Sequence, residues 1–442
     1  MSALAIGLIL IAVLILLVLL GLQIAIALFA AGFVGIWIIR DNFELAMRLL
    51  SVTAYNGIAD YLFATIPLFV LMGLLVSISN VGRDTFEVAE ALLRRLLGGL
   101  GVATVAANTV FAAVTGVSIA SAAVFTKVAV PEMVRHGYKT SFAAGTVAGS
   151  SVLGMMIPPS LLLIIYGVLA EQSIGRMFVA GVVPGILLAL GMVAVIMGLA
   201  FFKPSFVFTD VEKAKSRHAK RSGPKLSGRD ILIKLVPILA LVALVLGGLY
   251  SGFFTPTEAG GIGAFGALLI ALARRSLDRH RIWEVLKQTG SVSVGILILL
   301  IAAGFYSRML SVAGIPVAIG DLVQESGLGP YGFLLLYCVI ILLMGMILDS
   351  SSILLIMVPI AAPIAEALGF NLIHFGIVTV LTVEIGLLTP PFGISVFTVH
   401  STLADKRVGV EQIFLGTLPF IGVMLACLVL IALFPALTLA LI

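Results

Sequence analysis

The sequence predicts an all-α polytopic membrane protein with two inverted repeats, each containing a re-entrant helical hairpin and a discontinuous helix. Three observations support this fold class. The chain is 61% hydrophobic and only 11% charged, and many apolar runs are long enough to cross about 30 Å of hydrocarbon. Its mean hydropathy is +1.24. Glycine and proline positions recur at an offset of 232 residues, and both copies carry a Gly-x-x-x-Pro-Pro motif inside an apolar run.

The two motifs are Gly154–Pro159 and Gly386–Pro391. Other glycines and prolines match at the same offset: Gly82 with Gly314, Pro131 with Pro363, and Gly137 with Gly369. Proline removes a backbone donor, and glycine lets the chain leave helical geometry. In a bilayer, unwound backbone persists only around a buried site. Two breaks in corresponding positions of two halves therefore indicate the substrate and ion site of a secondary transporter.

The first half ends in a hairpin, a broken helix and a span. Five apolar, amphipathic or charged segments precede the hairpin, at 3–20, 22–39, 41–57, 61–79 and 83–95. Residues 99–136 are apolar but are interrupted at Thr115–Ser118, so two helices meeting at a small-residue tip fit better than one span. A broken helix at 140–170 and a span at 177–202 follow.

The segment 203–234 is the only long polar stretch, with nine Lys or Arg residues. We interpret it as a solvated cytoplasmic connector between the halves. A contact with lipid headgroups or a partner is the alternative.

The second half repeats this order. Four segments precede its hairpin, at 235–250, 259–273, 274–288 and 291–310. The hairpin covers 331–369 with its tip at Asp349–Ser352, the broken helix covers 371–400, and a last span covers 412–440.

Charge predicts the orientation. If each half has an odd number of crossings, an N-terminus outside places 21 basic residues in the cytoplasm, including those of 203–234. Only Arg40, Arg48, Arg176 and Arg308 then fall outside, and Lys127 lies within a hairpin arm. The reverse orientation would violate the positive-inside rule. The first hairpin would therefore enter from the cytoplasm and the second from outside.

Backbone carbonyls freed at the breaks can replace the hydration shell of a cation. We therefore combine the Thr115–Ser118 tip with the first break, and the Asp349–Ser352 tip with the second, where Thr389 adds a hydroxyl. Asp349 carries most weight, because a membrane-embedded carboxylate is costly and usually functional. Its alternative role is a cap at the hairpin tip. Glu384 is either functional or a structural hydrogen-bonding group that holds the unwound backbone.

Several function classes are excluded. The net charge of +5 comes from basic residues in loops between spans, which argues against nucleic-acid binding. No nucleotide-binding motif supports a primary pump, and no grouping of nucleophile, base and orienting residue supports an enzyme. His374 and His400 have no partners at the spacing of a transition-metal site. We therefore expect no cofactor other than a coupling ion.

Several motifs resemble the large membrane subunit of tripartite ATP-independent periplasmic (TRAP) transporters. They are Gly137-Tyr138 with Phe142–Gly145, Gly154–Ser160, Gly181–Gly185, His374–Gly376 and Glu384–Pro391. The resemblance covers nearly the whole chain, and the last motif is quite specific. It implies a sodium-driven importer of small carboxylates in a bacterial inner membrane. It also implies two partners, a smaller four-helix membrane subunit and a periplasmic substrate-binding protein.

The resemblance further implies an elevator mechanism, in which hairpins and broken helices slide against scaffold helices. The implied domains are scaffold helices and an arm at 1–80; a first transport half at 81–175; scaffold helices, connector and second arm at 176–310; a second transport half at 311–405; and a C-terminal scaffold helix at 406–442.

When the family's ligand positions are transferred to the matching residues of this sequence, the resemblance implies two sodium sites. The first set is Thr115, Val117, Gly154, Ile157 and Pro159, mostly through carbonyls, and the second is Asp349, Gly386, Thr389 and Pro391. The family commonly has Gly-Ser-Ser at the first tip, whereas Gly116-Val117-Ser118 here provides no hydroxyl at position 117. We expect five serine hydroxyls to bind the substrate, those of Ser118, Ser121, Ser350, Ser351 and Ser352.

Two other interpretations remain open. An autonomous sodium–dicarboxylate or citrate symporter could share inverted repeats and paired hairpins, but would need no binding protein. A channel or structural membrane scaffold is the third, although paired discontinuous helices argue against a plain scaffold.

Overall fold

The computed structural model describes residues 2–210, 226–403 and 408–442. Part of the predicted connector, and Lys406 and Arg407, lie outside the described residues. Within them, the chain is helical, with one isolated bridge between Tyr138 and Phe208.

Twelve α-helices are described before the connector. They are α1 (Ala3–Leu19), α2 (Ile24–Arg40), α3 (Phe43–Ala59), α4 (Thr65–Ile78), α5 (Val81–Leu93), α6 (Gly99–Thr115), α7 (Ser118–Arg135), α8 (Thr140–Ser151), α9 (Leu153–Met156), α10 (Leu161–Leu169), α11 (Ile174–Phe202) and α12 (Pro204–Val207). A 3₁₀ turn at Tyr61–Ala64 precedes α4.

Ten α-helices are described after the connector. They are α13 (Gly228–Tyr250), α14 (Pro256–Ala273), α15 (Arg279–Ala313), α16 (Ile315–Glu325), α17 (Gly329–Gly345), α18 (Ser350–Ala367), α19 (Leu372–Gly386), α20 (Ile394–Thr402), α21 (Val410–Leu433) and α22 (Ala436–Leu439).

The predicted class of all-α polytopic membrane protein is confirmed. Among the described residues, seven helices are long and apolar enough to cross a membrane, or eight if α8–α9 and α10, bent by 43°, form one span. The first hairpin consists of α6 and α7, and the second of α17 and α18. The inverted symmetry of the repeats remains a prediction.

Three helix boundaries differ from the sequence prediction. Residues 279–288 and the predicted span 291–310 lie in one helix of 35 residues, α15, because no proline between them stops a helix. The amphipathic helix α16 was not predicted. Helix α13 begins at Gly228, so the last residues of the predicted connector are helical.

An ion-pair network joins α5 to the second half. Asp84 lies 2.9 Å from Arg274 and 3.6 Å from Lys234, and its side chain is 14% exposed. Glu87 pairs with Lys234 and Arg83. Burial raises the pKa of Glu87, but hydrogen bonds from Lys234 and Arg83 outweigh burial and hold this pKa below its usual value. The network therefore fastens α5, which leads into the first hairpin, to α13 and the end of α14.

The broken helices pack across the two halves. Helix α10 of the first half packs against α18 of the second hairpin, and α20 of the second half packs against α7 of the first hairpin. The Tyr166 hydroxyl also donates a hydrogen bond to the carbonyl oxygen of Leu372 at 2.7 Å. Each broken helix therefore packs against the hairpin of the other half.

Candidate functional site: two broken helices and two hairpin tips

The first break follows from its two prolines. Pro158 and Pro159 lack the N–H groups that would bond the carbonyls of Gly154 and Met155 in a continuous helix. The Ser160 hydroxyl donates to the Met155 carbonyl and accepts from the N–H of Leu163 at 3.3 Å, so it caps α10. Among the described residues, the carbonyl oxygens of Gly154, Ile157 and Pro159 accept no hydrogen bond. Three residues of the predicted first ligand set thus offer unengaged carbonyls.

The tip of the first hairpin is interlocked with this break. The Leu161 N–H donates to the Gly116 carbonyl at 3.2 Å. Gly116 has a φ of +61°, and a β-carbon there would lie 2.5 Å from the Pro159 carbonyl oxygen. A β-carbon on Gly154 would likewise lie 3.2 Å from the carbonyl of Val117. The approach at Gly116 therefore requires glycine, whereas a side chain at Gly154 would need Val117 to shift slightly.

A small cavity lies where the first tip, the break and α4 meet. Its volume is about 10 Å³, and Thr115, Gly116, Val117 and Pro159 are among its lining residues. A space of this size corresponds to about one water-sized sphere. The Thr115 hydroxyl donates to the Phe111 carbonyl at 3.0 Å, so the hydroxyl is engaged within its own helix. Thr115 and Pro159 are buried, whereas Val117 and Ile157 are half-buried.

The second break has the same local form but different surroundings. Peptide bonds Pro158–Pro159 and Pro390–Pro391 are both cis. Thr389 is half-buried, while Pro390, Pro391 and Phe392 are exposed. The Thr389 N–H donates to the Gly386 carbonyl at 3.0 Å. In the described part of the chain, the carbonyls of Thr389 and Pro391 accept no hydrogen bond.

Asp349 is the N-cap of α18 and is exposed. Its carboxylate accepts hydrogen bonds from the Ser352 N–H at 3.2 Å and from the Ser352 hydroxyl. The structure therefore shows the capping role that the sequence left as an alternative. No hydrogen bond among the described residues joins Asp349 to Thr389 or Pro391. At the first site, by contrast, the Leu161 N–H bonds the hairpin tip to the break through the Gly116 carbonyl.

The second hairpin approaches its break through two glycines. A β-carbon on Gly345, at the end of α17, would lie 2.6 Å from the Cα of Gly386. The reverse distance, from a β-carbon on Gly386 to the Cα of Gly345, would be 2.7 Å. The tip follows only four residues after Gly345, so this backbone contact holds it close to the break.

Buried hydroxyls lie in the first turns of α7, α18 and α20. Ser118 and Ser121 lie in the first turns of α7, and neither hydroxyl has a hydrogen-bond partner among the described residues. Ser395, in the first turn of α20, has the same property, and α20 packs against α7. Of the second-tip serines, Ser350 and Ser352 are buried and Ser351 is half-buried.

Sequence reasoning missed Ser395 and the pair formed by Asn108 and Ser150. The Asn108 side-chain amide lies 2.6 Å from the Ser150 hydroxyl, and both residues are completely buried. The signal for Ser395 was a hydroxyl in the first turn of the helix that follows the second Pro-Pro.

Glu384 is completely buried two residues before Gly386. Neither of its carboxylate oxygens has a hydrogen-bond partner among the described residues. An ionised carboxylate in such surroundings is very costly unless a cation compensates it. The residue therefore adds an acidic group beside the second break. It does not hold the unwound backbone by a hydrogen bond.

A separate cluster contains Glu90, Glu132 and His136, whose possible ligand atoms lie within 4.8 Å of one another. Glu132 lies 2.6 Å from Arg135 and 3.2 Å from His136. We assign this cluster to the ion pairs at the end of α7.

Comparison with known proteins identifies the family. The sequence matches the family described as "Tripartite ATP-independent periplasmic transporter, DctM component" over residues 11–437. The chain belongs to this family. The DctM family consists of transporter permeases and is not a class of enzymes.

Relatives cover nearly the full chain. The C4-dicarboxylate TRAP transporter large permease protein DctM of Pseudomonas aeruginosa is 34% identical over 400 residues, covering 90% of each chain. The ectoine TRAP transporter large permease protein TeaC of Halomonas elongata is 31% identical over 441 residues, covering 99% of this chain and 97% of TeaC. Because these relatives are named for different substrates, membership of the DctM family does not fix the substrate.

A solved structure supports the fold. The YdaH transporter of Alcanivorax borkumensis is similar with a TM-score of 0.58 at 13% identity, covering 90% of both chains. At this identity the similarity shows the fold alone. The chain is a multi-pass membrane protein and a TRAP large permease.

Proposed function

We propose that this chain imports small organic carboxylates, coupled to sodium, as the large permease subunit of a TRAP transporter in a bacterial inner membrane. The observation that carries the proposal is the pair of proline breaks, each of which leaves backbone carbonyls without hydrogen bonds beside a hairpin. Carbonyl oxygens at membrane depth are suitable ligands for a cation that must lose its water.

The first sodium would be held by Thr115, Val117, Gly154, Ile157 and Pro159. Support comes from the unengaged carbonyls and from the cavity of about 10 Å³ at the tip. The second would be held by Asp349, Gly386, Thr389 and Pro391. There the buried Glu384 carboxylate supports a nearby positive charge.

The substrate carboxylate would meet hydroxyls from both tips. Ser118, Ser121 and Ser395 supply buried hydroxyls that have no partner among the described residues. Ser350, Ser351 and Ser352 would serve from the second tip. Helix starts favour an anion, because their N–H groups carry partial positive charge.

Transport would follow an elevator mechanism, in which the body formed by the hairpins and broken helices slides against the scaffold helices. The exchange of α10 and α20 between the halves supports a single moving body. The basic residues favour an N-terminus on the periplasmic side. A small four-helix membrane subunit and a periplasmic binding protein would complete the system, and the family description of a tripartite periplasmic transporter supports three components.

The test is uptake by proteoliposomes that contain this chain and its small membrane subunit, with and without the binding protein. Radiolabelled carboxylates are supplied under an inward sodium gradient, and an equal potassium gradient is the control. We expect uptake only when both the sodium gradient and the binding protein are present. Uptake without the binding protein would favour the autonomous symporter, and equal uptake in potassium would refute sodium coupling.

A further inference from the structure

A polar groove separates scaffold helices from the body that carries the breaks. A cavity of about 630 Å³ lies between α3 and α15 on one side and the α10–α11 turn and α18 on the other. A second cavity, of about 220 Å³, shares Leu169, Glu171, Ser307 and Pro359 with the first. We call the combined space the outer groove. Its volume lies in the range of small-molecule sites.

Arg308 is the one basic residue that lines the outer groove within the described residues. It lies near the end of α15, a candidate membrane span, and it is exposed. No ion pair or hydrogen bond to another described residue engages its side chain. A charged residue in a span that faces a water-filled space usually marks a transport pathway. A guanidinium also binds a carboxylate through two parallel hydrogen bonds.

Acidic side chains limit the affinity of this groove for anions. Asp60, Glu171 and Glu366 also line it. Asp60 is already engaged as a cap, since it accepts the N–H of Leu62 at 2.9 Å. The carboxylates weaken the attraction of Arg308 for an anion, so an anion held there leaves readily. Rapid release suits a site that a substrate passes through.

We propose that the outer groove is an access site for the carboxylate substrate, where Arg308 meets the carboxylate before it reaches the broken helices. The inference rests on the proposed function and on the N-terminus being periplasmic, which makes the groove open to the outside. Asn56 and Ser307 provide neutral polar groups on facing walls.

The electrostatic test uses thiol labelling of the chain together with its small membrane subunit. Cys338 and Cys427 are buried, so Ser307→Cys or Asn56→Cys supplies one accessible thiol. Anionic and cationic methanethiosulfonates, both membrane-impermeant, are added outside, and their rates are normalised to a free thiol. Because three carboxylates share the groove with Arg308, the measured quantity is the preference for the anionic over the cationic reagent with and without this arginine. One unit charge nearby should change that preference about threefold to tenfold.

Arg308→Gln should shift this preference towards the cationic reagent by about threefold to tenfold, because only carboxylates then remain as charged groups in the groove. The control is Arg176→Gln, which removes an exposed arginine on the same side but outside the groove and should leave the preference intact. A preference that Arg308→Gln does not change would overturn the proposal, because Arg308 would then not attract anions into the groove. Failure of both thiols to react from outside would overturn it as well.

The transport test compares KM for the carboxylate that passes the uptake assay above. Arg308→Gln should raise KM several-fold with unchanged thermal stability, and Arg308→Lys should raise it less. A lower maximal rate at unchanged KM would contradict an access site. If the unmodified chain shows no sodium-driven uptake, the proposed function fails, whereas unchanged KM in an active Arg308→Gln variant refutes only the access site.

Discussion

The two breaks share a sequence motif but differ in burial. At the first, Pro158 and Pro159 are buried, and the hairpin tip is interlocked with them through Gly116 and Gly154. At the second, Pro390, Pro391 and Asp349 are exposed. The motif therefore determines where a helix breaks, because missing N–H groups act locally. The surrounding helices determine whether the break is enclosed, and in this structure the first is closed and the second open.

The largest effect on uptake and stability is expected for Gly116→Ala, which disrupts the contact between the first hairpin tip and the closed break. A left-handed φ costs a non-glycine residue about 1–2 kcal/mol, and the new β-carbon would also meet the Pro159 carbonyl at 2.5 Å. We expect loss of uptake and a clear fall in Tm. The matched control is Gly137→Ala, where φ is +89° but no atom lies within 4 Å of the added carbon. Equal effects of both substitutions would show that the interlock contributes nothing.

Asp349 tests whether the open tip binds sodium or only caps α18. Asp349→Ala should lose about 1 kcal/mol of capping, and it should weaken sodium coupling more than it weakens folding. Asp349→Asn keeps a capping oxygen but removes the charge, so it should fold normally with weaker sodium dependence of uptake. If the Asp349→Asn variant folds normally and its uptake keeps the same sodium dependence, Asp349 serves only as a cap.

The helices that lead into the hairpins extend the comparison. Helix α5 is fastened by Asp84 to Arg274 at 2.9 Å, whereas Asp321 of α16 is exposed and forms no ion pair with another described residue. Asp84→Asn should destabilise the protein by about 1–3 kcal/mol, since it leaves a partly buried arginine without its charged partner. Asp321→Asn should change stability by less than about 0.5 kcal/mol. Similar unfolding curves for both variants would count against a fastening role.

The smallest expected effect is on the loss of thermal stability at low pH. Lys234 and Arg83 hold the pKa of Glu87 below its usual value, so its stabilising contribution is complete above that usual value and is lost as pH falls through the lowered pKa. Between neutral pH and this acid range, Tm should fall slightly less in Glu87→Gln than in the unmodified chain. Parallel Tm–pH curves for the two proteins would contradict this.

Local chemistry in the sequence predicted much of the fold and part of the site. The prolines at 158–159 and 390–391 located both breaks, and the small residues at 115–118 located the first tip, where α6 ends at Thr115 and α7 begins at Ser118. These features depend on missing donors and backbone freedom, which a single residue specifies.

Features that depend on packing could not be predicted in this way. Hydropathy suggested an embedded Asp349, yet its exposure depends on which helices cover the tip. Ser395 became a candidate only because α20 packs against α7, a pairing between distant parts of the chain. The continuous α15 was missed because the change from polar to apolar residues at about 289 resembled a boundary, although no residue there ends a helix.

The exchange of α10 and α20 between the halves also constrains how the protein is made. Ribosomes deliver the N-terminal half first, but α10 packs against α18, and Tyr166 bonds to Leu372, 206 positions later. Helix α7 likewise lacks its packing partner α20 until α20 has been synthesised. The first half therefore exposes these surfaces of α7 and α10 until the second half has been synthesised. Maturation is complete only near the end of translation, and a chain truncated in the connector would remain an unfinished assembly.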